Sequence, residues 1–119
     1  DWIFVDDHCN AIMKVLHKGK KGESYNISAS NEIDVLTIIK KILSIMNKDT
    51  SNYESSEDRP GHDFRYSLDS SKIRKELNWS PKVSFEEGLK TTVEWYLKNQ
   101  EWWKDITDIK TLNSIQWKS

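Results

Sequence analysis

Several things this sequence has little of already exclude whole classes of function. Its single cysteine, Cys9, cannot close an internal disulfide. That fits a reducing compartment, and the expected location is the cytoplasm. No secretory leader pattern opens the sequence. No apolar run exceeds a handful of residues, so nothing is expected to span a membrane. Neither sign of charge is in surplus: 18 basic and 19 acidic residues leave a net charge of −1, which argues against nucleic acid as a partner. The four glycines, Gly19, Gly22, Gly61 and Gly88, never fall into the G-x-G-x-x-G spacing. That turn brings a dinucleotide diphosphate to a helix N-terminus, and these residues do not supply it. No repeat and no low-complexity segment is present. Asp6, Asp7 and His8 are adjacent, but no second ligand cluster answers them, so they read as helix-start acids and not as a metal site.

The chain of 119 residues is long enough for one compact domain. A domain of that size buries about 60–70% of its unfolded surface. Yet only 36% of the residues are hydrophobic and 31% are charged, which is lean for an independent globule. Such a balance suits a piece whose partner supplies part of the core.

What is present gathers around Glu57-Asp58-Arg59-Pro60-Gly61-His62-Asp63-Phe64-Arg65-Tyr66. Pro60 sets its own φ and Gly61 permits a positive one, so the backbone turns sharply. No apolar period runs through the stretch, and it reads as an exposed loop. Arg59 offers a planar fork suited to bidentate phosphate contact, and Gly61 lets a ligand approach the backbone. His62 adds a further donor. An anion, and a diphosphate in particular, fits donors spaced a few residues apart. The competing reading is a solvated loop whose local Asp–Arg pairs contribute little.

Around the loop the pattern is mostly helical with a few short strands. Asp1–Val5 is rich in aromatic and β-branched residues and reads as a strand. Asp6 and Asp7 then stand at the cap and first turn of a helix whose apolar stripe is Ala11, Ile12, Val15 and Leu16. Ser24–Ser28 and Ser51–Ser55 read as short strands. Glu32 or Asp34 opens a helix carrying Val35, Ile38, Ile39, Ile42, Leu43 and Met46 on one face. Asp69 caps a helix over Ser70–Leu77, which Asn78 ends in the left-handed conformation. Ser84 and Glu87 form a capping box for a helix bearing Phe85, Leu89, Val93, Tyr96 and Leu97. The stretch 105–119 has a weak period in Ile106, Ile109 and Leu112, and partial helix is expected there. Trp79 reads as a packing residue. Trp95, Trp102, Trp103 and Trp117 suit either stacking on a base or packing against a further domain.

The order of residues in Asp58–Tyr66 resembles the late substrate loop of dTDP-glucose 4,6-dehydratases, within the extended short-chain dehydrogenase/reductase (SDR) enzymes. His62 before Asp63 distinguishes that branch from the sugar-nucleotide epimerases, which often have Arg-Pro-Gly-Asp. Asp-Trp-x-x-Val-Asp-Asp, Tyr25-Asn26-Ile27, Leu77-Asn78-Trp79-Ser80-Pro81 and Glu94-Trp95-Tyr96-Leu97 extend the likeness through about residue 103. Ser28 and Ala29 stand where that family usually has two glycines. The resemblance implies an α/β fold class: a small C-terminal substrate-binding region, residues 1–103, followed by a tail, 104–119, with the Rossmann half absent. It implies that Arg59 contacts the diphosphate of a dTDP-sugar, with His62 beside it. It matches Asn31 to a phosphate contact as well, while a helix cap explains Asn31 equally.

The family's Tyr-x-x-x-Lys pair and acidic dyad have no counterpart here. No catalytic residue and no cofactor site is therefore expected in this chain. NAD and the reactive groups are expected in a missing N-terminal Rossmann domain of a full-length, homo-oligomeric enzyme. By resemblance, that enzyme oxidises the sugar at C4, eliminates water across C5–C6 and returns the hydride to C6. The other readings are a fragment of a related epimerase, or a stand-alone protein-interaction module.

Overall fold

The computed structural model describes residues 1–58 and 60–104. The tail from 105 on, with Ile106, Ile109, Leu112 and Trp117, lies outside the described residues, and so does Arg59. Among the described residues five helices make up the regular structure: α1 (Val5–Lys18), α2 (Val35–Ile45), α3 (Ser71–Leu77), α4 (Phe85–Lys98) and α5 (Gln100–Lys104). No helix among the described residues is long and apolar enough to cross a membrane.

Each helix starts where local chemistry allows. Asp34, not Glu32, opens α2, accepting from the Thr37 backbone N–H at 2.9 Å and from the Thr37 hydroxyl at 2.6 Å. The hydroxyl first, then the backbone donor, hold the Asp34 carboxyl below its ordinary pKa. Helix α3 begins one residue later than expected, with Ser70 and not Asp69 at the N-cap position; Asp69 accepts from the Ser71 backbone at 2.8 Å just ahead of it. Asn78 ends that helix at φ 47, ψ 48, as its place before Trp79-Ser80-Pro81 predicts. Ser84 caps α4 through the Glu87 N–H at 3.2 Å.

The start of α1 departs from the expectation. Phe4 precedes it with no side-chain cap, and Asp6 and Asp7 lie in the first turn. Asp7 is buried. Its Oδ2 accepts the backbone N–H groups of Lys82 and Val83, both at 2.9 Å. The carboxylate thus ties the helix to the turn before α4.

The expected strands are absent among the described residues. Strand-rich composition forms a strand only where a ladder partner lies alongside. Asp1–Val5 reaches the rest of the chain through Trp2 N–H to Asn31 O at 3.1 Å. Ser24–Ser28 is engaged with the residues leading into α3 through side chains: Asn26 Nδ2 donates to Asp69 O at 3.4 Å, and Ser70 Oγ to Ser28 O at 3.2 Å. Ser51–Ser55 is exposed.

Helix α1 packs on α3, and α2 on α4. Ala11, Ile73, Leu77 and Trp79 form the buried cluster of the first pair, with Ile3, Val15, Tyr25 and Ile27 against it. Trp79 is thus the packing residue its position predicts. The stripe on α1 splits: Ala11 is fully buried, but Ile12 is 48% and Leu16 72% exposed. In the second pair Ile38 and Val93 are buried. Gly88 lets the N-terminal segment cross α4, because a Cβ there would lie 3.0 Å from Phe4 Cβ.

Candidate functional site

Three irregular segments meet at the start of the chain. Asp1 is the junction. Its Oδ1 accepts the Asn31 backbone N–H at 3.3 Å, and its Oδ2 accepts the Ser28 hydroxyl. Its backbone nitrogen donates to Tyr66 O at 3.1 Å. Segment 1–2, the loop before α2 and the end of the late loop are therefore fixed together. Ser28 is buried, and its carbonyl also takes Arg74 Nη2 at 3.2 Å, which anchors the junction to α3. Ser28 and Ala29, which stand in place of the family's glycines, have no positive φ; the left-handed residue is Ser30 at φ 61, its N–H held by Ser28 Oγ at 3.0 Å.

Asn31 sits in this junction, half-buried. Its Nδ2 donates to Trp2 O at 3.2 Å. It does not cap α2, since Asp34 does, and that corrects the cap alternative. A primary amide has a second N–H, so one donor of Asn31 remains beyond the bond to Trp2.

The late loop is exposed and internally braced. Gly61 has φ 71, the positive value that the Pro-Gly step predicts. His62 Nδ1 lies 2.6 Å from Asp58 Oδ1, and the Tyr66 hydroxyl donates to Asp63 Oδ2 at 2.8 Å. Phe64 is wholly exposed. Among the described residues no direct bond joins His62 to Asn31: His62 pairs within its own loop, whereas Asn31 is tied to Asp1 and Trp2. Arg59, the expected phosphate fork, lies outside the described residues. The residues that sequence reasoning missed are Asp1, Ser28, Tyr66 and Ser67. All act through contacts more than 25 positions apart in the chain, and no local pattern announces them.

Beside the junction a cleft of about 850 Å³ opens, lined by Asn31, Trp2, Ile38, Phe85 and Tyr96 among others. Trp95, also in its wall, meets Tyr96 and Trp102 edge-on at 5.2 and 5.1 Å between ring centres. Trp103 is engaged elsewhere, its indole N–H donating to Tyr96 O at 2.9 Å. Among the described residues no group of three or more metal-ligating side chains occurs.

Comparison with known proteins places this arrangement in a family. The model of the GDP-mannose 4,6 dehydratase family matches residues 1–92. A dTDP-glucose 4,6-dehydratase from Mycobacterium tuberculosis (strain ATCC 25618 / H37Rv) is 44% identical over 109 residues, covering 91% of this chain and 33% of the relative. The crystal structure of the Bacillus anthracis dTDP-glucose 4,6-dehydratase in complex with NAD superposes with a TM-score of 0.84 at 45% identity, over 90% of this chain and 34% of the other. The Streptomyces venezuelae dTDP-glucose 4,6-dehydratase, with NAD and TYD bound, gives 0.85 at 41%, over 90% and 33%. The chain spans about a third of the length of the relatives it matches.

Proposed function

The chain belongs to the GDP-mannose 4,6 dehydratase family, and from that premise we propose that it is the sugar-nucleotide-binding portion of a longer, NAD-dependent dTDP-glucose 4,6-dehydratase. The longer enzyme converts dTDP-glucose to dTDP-4-keto-6-deoxyglucose with loss of water. The observation that carries this reading is the 41–45% identity to dTDP-glucose 4,6-dehydratases over nine-tenths of the chain, with the fold conserved. Residues 1–103 form the binding portion and 104–119 the tail.

NAD, when bound to the longer protein, supplies the hydride acceptor. No residue of this chain is assigned to it, because the chain has no Gly-rich turn to receive its diphosphate. The chain's own work is to hold the substrate by its far end. Arg59 pairs with the diphosphate through its guanidinium fork. His62 lies in the same loop, and the free N–H of Asn31 approaches from the junction. Binding energy at the nucleotide end fixes where the hexose sits for chemistry elsewhere. The apolar cleft and the outward residues of α1, Ile12 and Leu16, support the reading that a further portion of protein packs here. The longer protein is then cytoplasmic and homo-oligomeric.

In the longer enzyme, Arg59→Ala raises KM for dTDP-glucose. The loss of a charge-assisted bond of about 1.5–3 kcal/mol sets the effect at roughly ten- to a hundredfold. NAD affinity stays as it was. Steady-state kinetics with calorimetry for NAD check both, and an unchanged KM removes Arg59 from the site.

A further inference from the structure

We infer that Glu32 is a positioning residue that sets the late loop in register with the loop of Asn31. This rests on the reading that the late loop binds the diphosphate. In sequence Glu32 competes with Asp34 for the start of α2. Asp34 takes that task, which leaves the Glu32 carboxylate for a different one. Its Oε1 accepts the Ser67 hydroxyl at 2.6 Å. Its Oε2 lies 3.7 Å from Arg65 Nε. Between those two partners, the carbonyl of Tyr66 accepts from Asp1 at 3.1 Å, and Asp1 in turn holds the Asn31 backbone at 3.3 Å. Glu32 follows Asn31 directly in the chain. Its carboxylate therefore closes a ring that runs from Asn31 through Asp1 and Tyr66 to Ser67 and back.

The bonds inside the late loop, His62 with Asp58 and Tyr66 with Asp63, give the loop its shape. They do not set where the loop stands relative to Asn31. The ring does, and within it Glu32 to Ser67 is the bond between two side chains. The Arg65 side chain is 70% exposed and its pair with Glu32 is long, so solvent screens that part. The short bond to Ser67 carries the registration. A donor on the late loop and a donor on the Asn31 loop then meet one diphosphate without first having to be aligned, and ordering cost is removed from binding.

The test is a titration of thymidine diphosphate into the full chain, followed by backbone amide shifts, in the native protein and in Glu32→Ala, Glu32→Gln, Ser67→Ala and Arg59→Ala. Glu32→Ala is expected to weaken binding about tenfold and to speed hydrogen exchange at Ser67. Glu32→Gln keeps an acceptor for Ser67 and restores affinity to within about threefold. The double variant Glu32→Ala/Ser67→Ala binds no worse than Glu32→Ala alone, since both remove one bond. If Arg59→Ala weakens binding while Glu32→Ala and Ser67→Ala leave it unchanged, the role of Glu32 is overturned and the proposed function stands. If the native chain shows no shift around Pro60, or Arg59→Ala is neutral, the proposed function itself falls. Where Glu32→Ala unfolds the chain, Ser67→Ala removes the same bond from the other side, and undiminished affinity there overturns the inference.

Discussion

The α1–α3 half and the α2–α4 half draw on similar amphipathic sequence, yet one is closed and the other open. In the first, Ala11 and Ile73 have no exposed surface and Trp79 almost none. Polar pins surround that cluster: Arg74 Nε to Ser70 Oγ at 3.1 Å, the Tyr25 hydroxyl to Glu76 at 3.0 Å and Lys72 to Glu23 at 2.7 Å. In the second, Ile38 and Val93 are buried between the helices, but Trp2, Phe85, Trp95 and Tyr96 line an open cleft. The difference lies in the third layer. Tyr25, Ile27 and the Trp79 turn cover the first helix pair, whereas the N-terminal segment and α5 only rim the second and leave the cleft between them open. A chain with only 36% hydrophobic residues has closed one core and left a cleft open beside the other.

The largest test of this contrast is Ile73→Ala. A fully enclosed side chain cut to a methyl leaves a cavity, and the expected loss is about 2–5 kcal/mol, read from urea denaturation. Ile42→Ala, in the cleft wall, is expected to lose less than half as much, because the open side already lacks contacts. Equal losses would break the contrast. Next in size is Trp102→Ala, whose ring is 60% exposed on the cleft rim. In this chain it shifts stability by about 0.5 kcal/mol or less. In the longer enzyme, where the proposed cover is present, the same change costs more; an equal, small change in both would remove the cover.

The smallest effect is a pH dependence that ignores the contrast. Asp69, beside α3, is held below its ordinary pKa by the Ser71 backbone N–H and then its hydroxyl. Asp34, at α2, is lowered by Thr37. A carboxyl lowered by folding stabilises at neutral pH, and its contribution is lost as pH falls below about 4. The urea midpoint should stay level down to about pH 5 and then drop. Asp69→Asn and Asp34→Asn should each flatten the drop slightly and alike, since both carboxyls are solvent-exposed and held by local hydrogen bonds. A steeper change for one would sharpen the distinction between the halves.

Local chemistry made the helices legible. The spacing of Ile38, Ile39 and Ile42 marks α2; Ser84 marks the start of α4; Asn78 and Gly61 take the left-handed conformations their neighbours require. What depends on partners far along the chain was not legible. Strand composition at Asp1–Val5 could not reveal that no ladder partner lies among these residues. The helical period of Ile12 and Leu16 marked an apolar face but not that it turns outward. At the candidate site, the Pro-Gly turn and the His62 loop were readable. The ring through Asp1, Asn31, Glu32, Tyr66 and Ser67 was not, because it joins residues up to 65 positions apart.

The buried carboxylate of Asp7 sets a timetable for synthesis. It grips Lys82 and Val83, 75 and 76 positions downstream. During translation the first helix emerges with that group still hydrated and its resting place unmade, and docking waits until the ribosome has released the turn before α4. A nascent chain stalled ahead of that turn should leave α1 protease-sensitive.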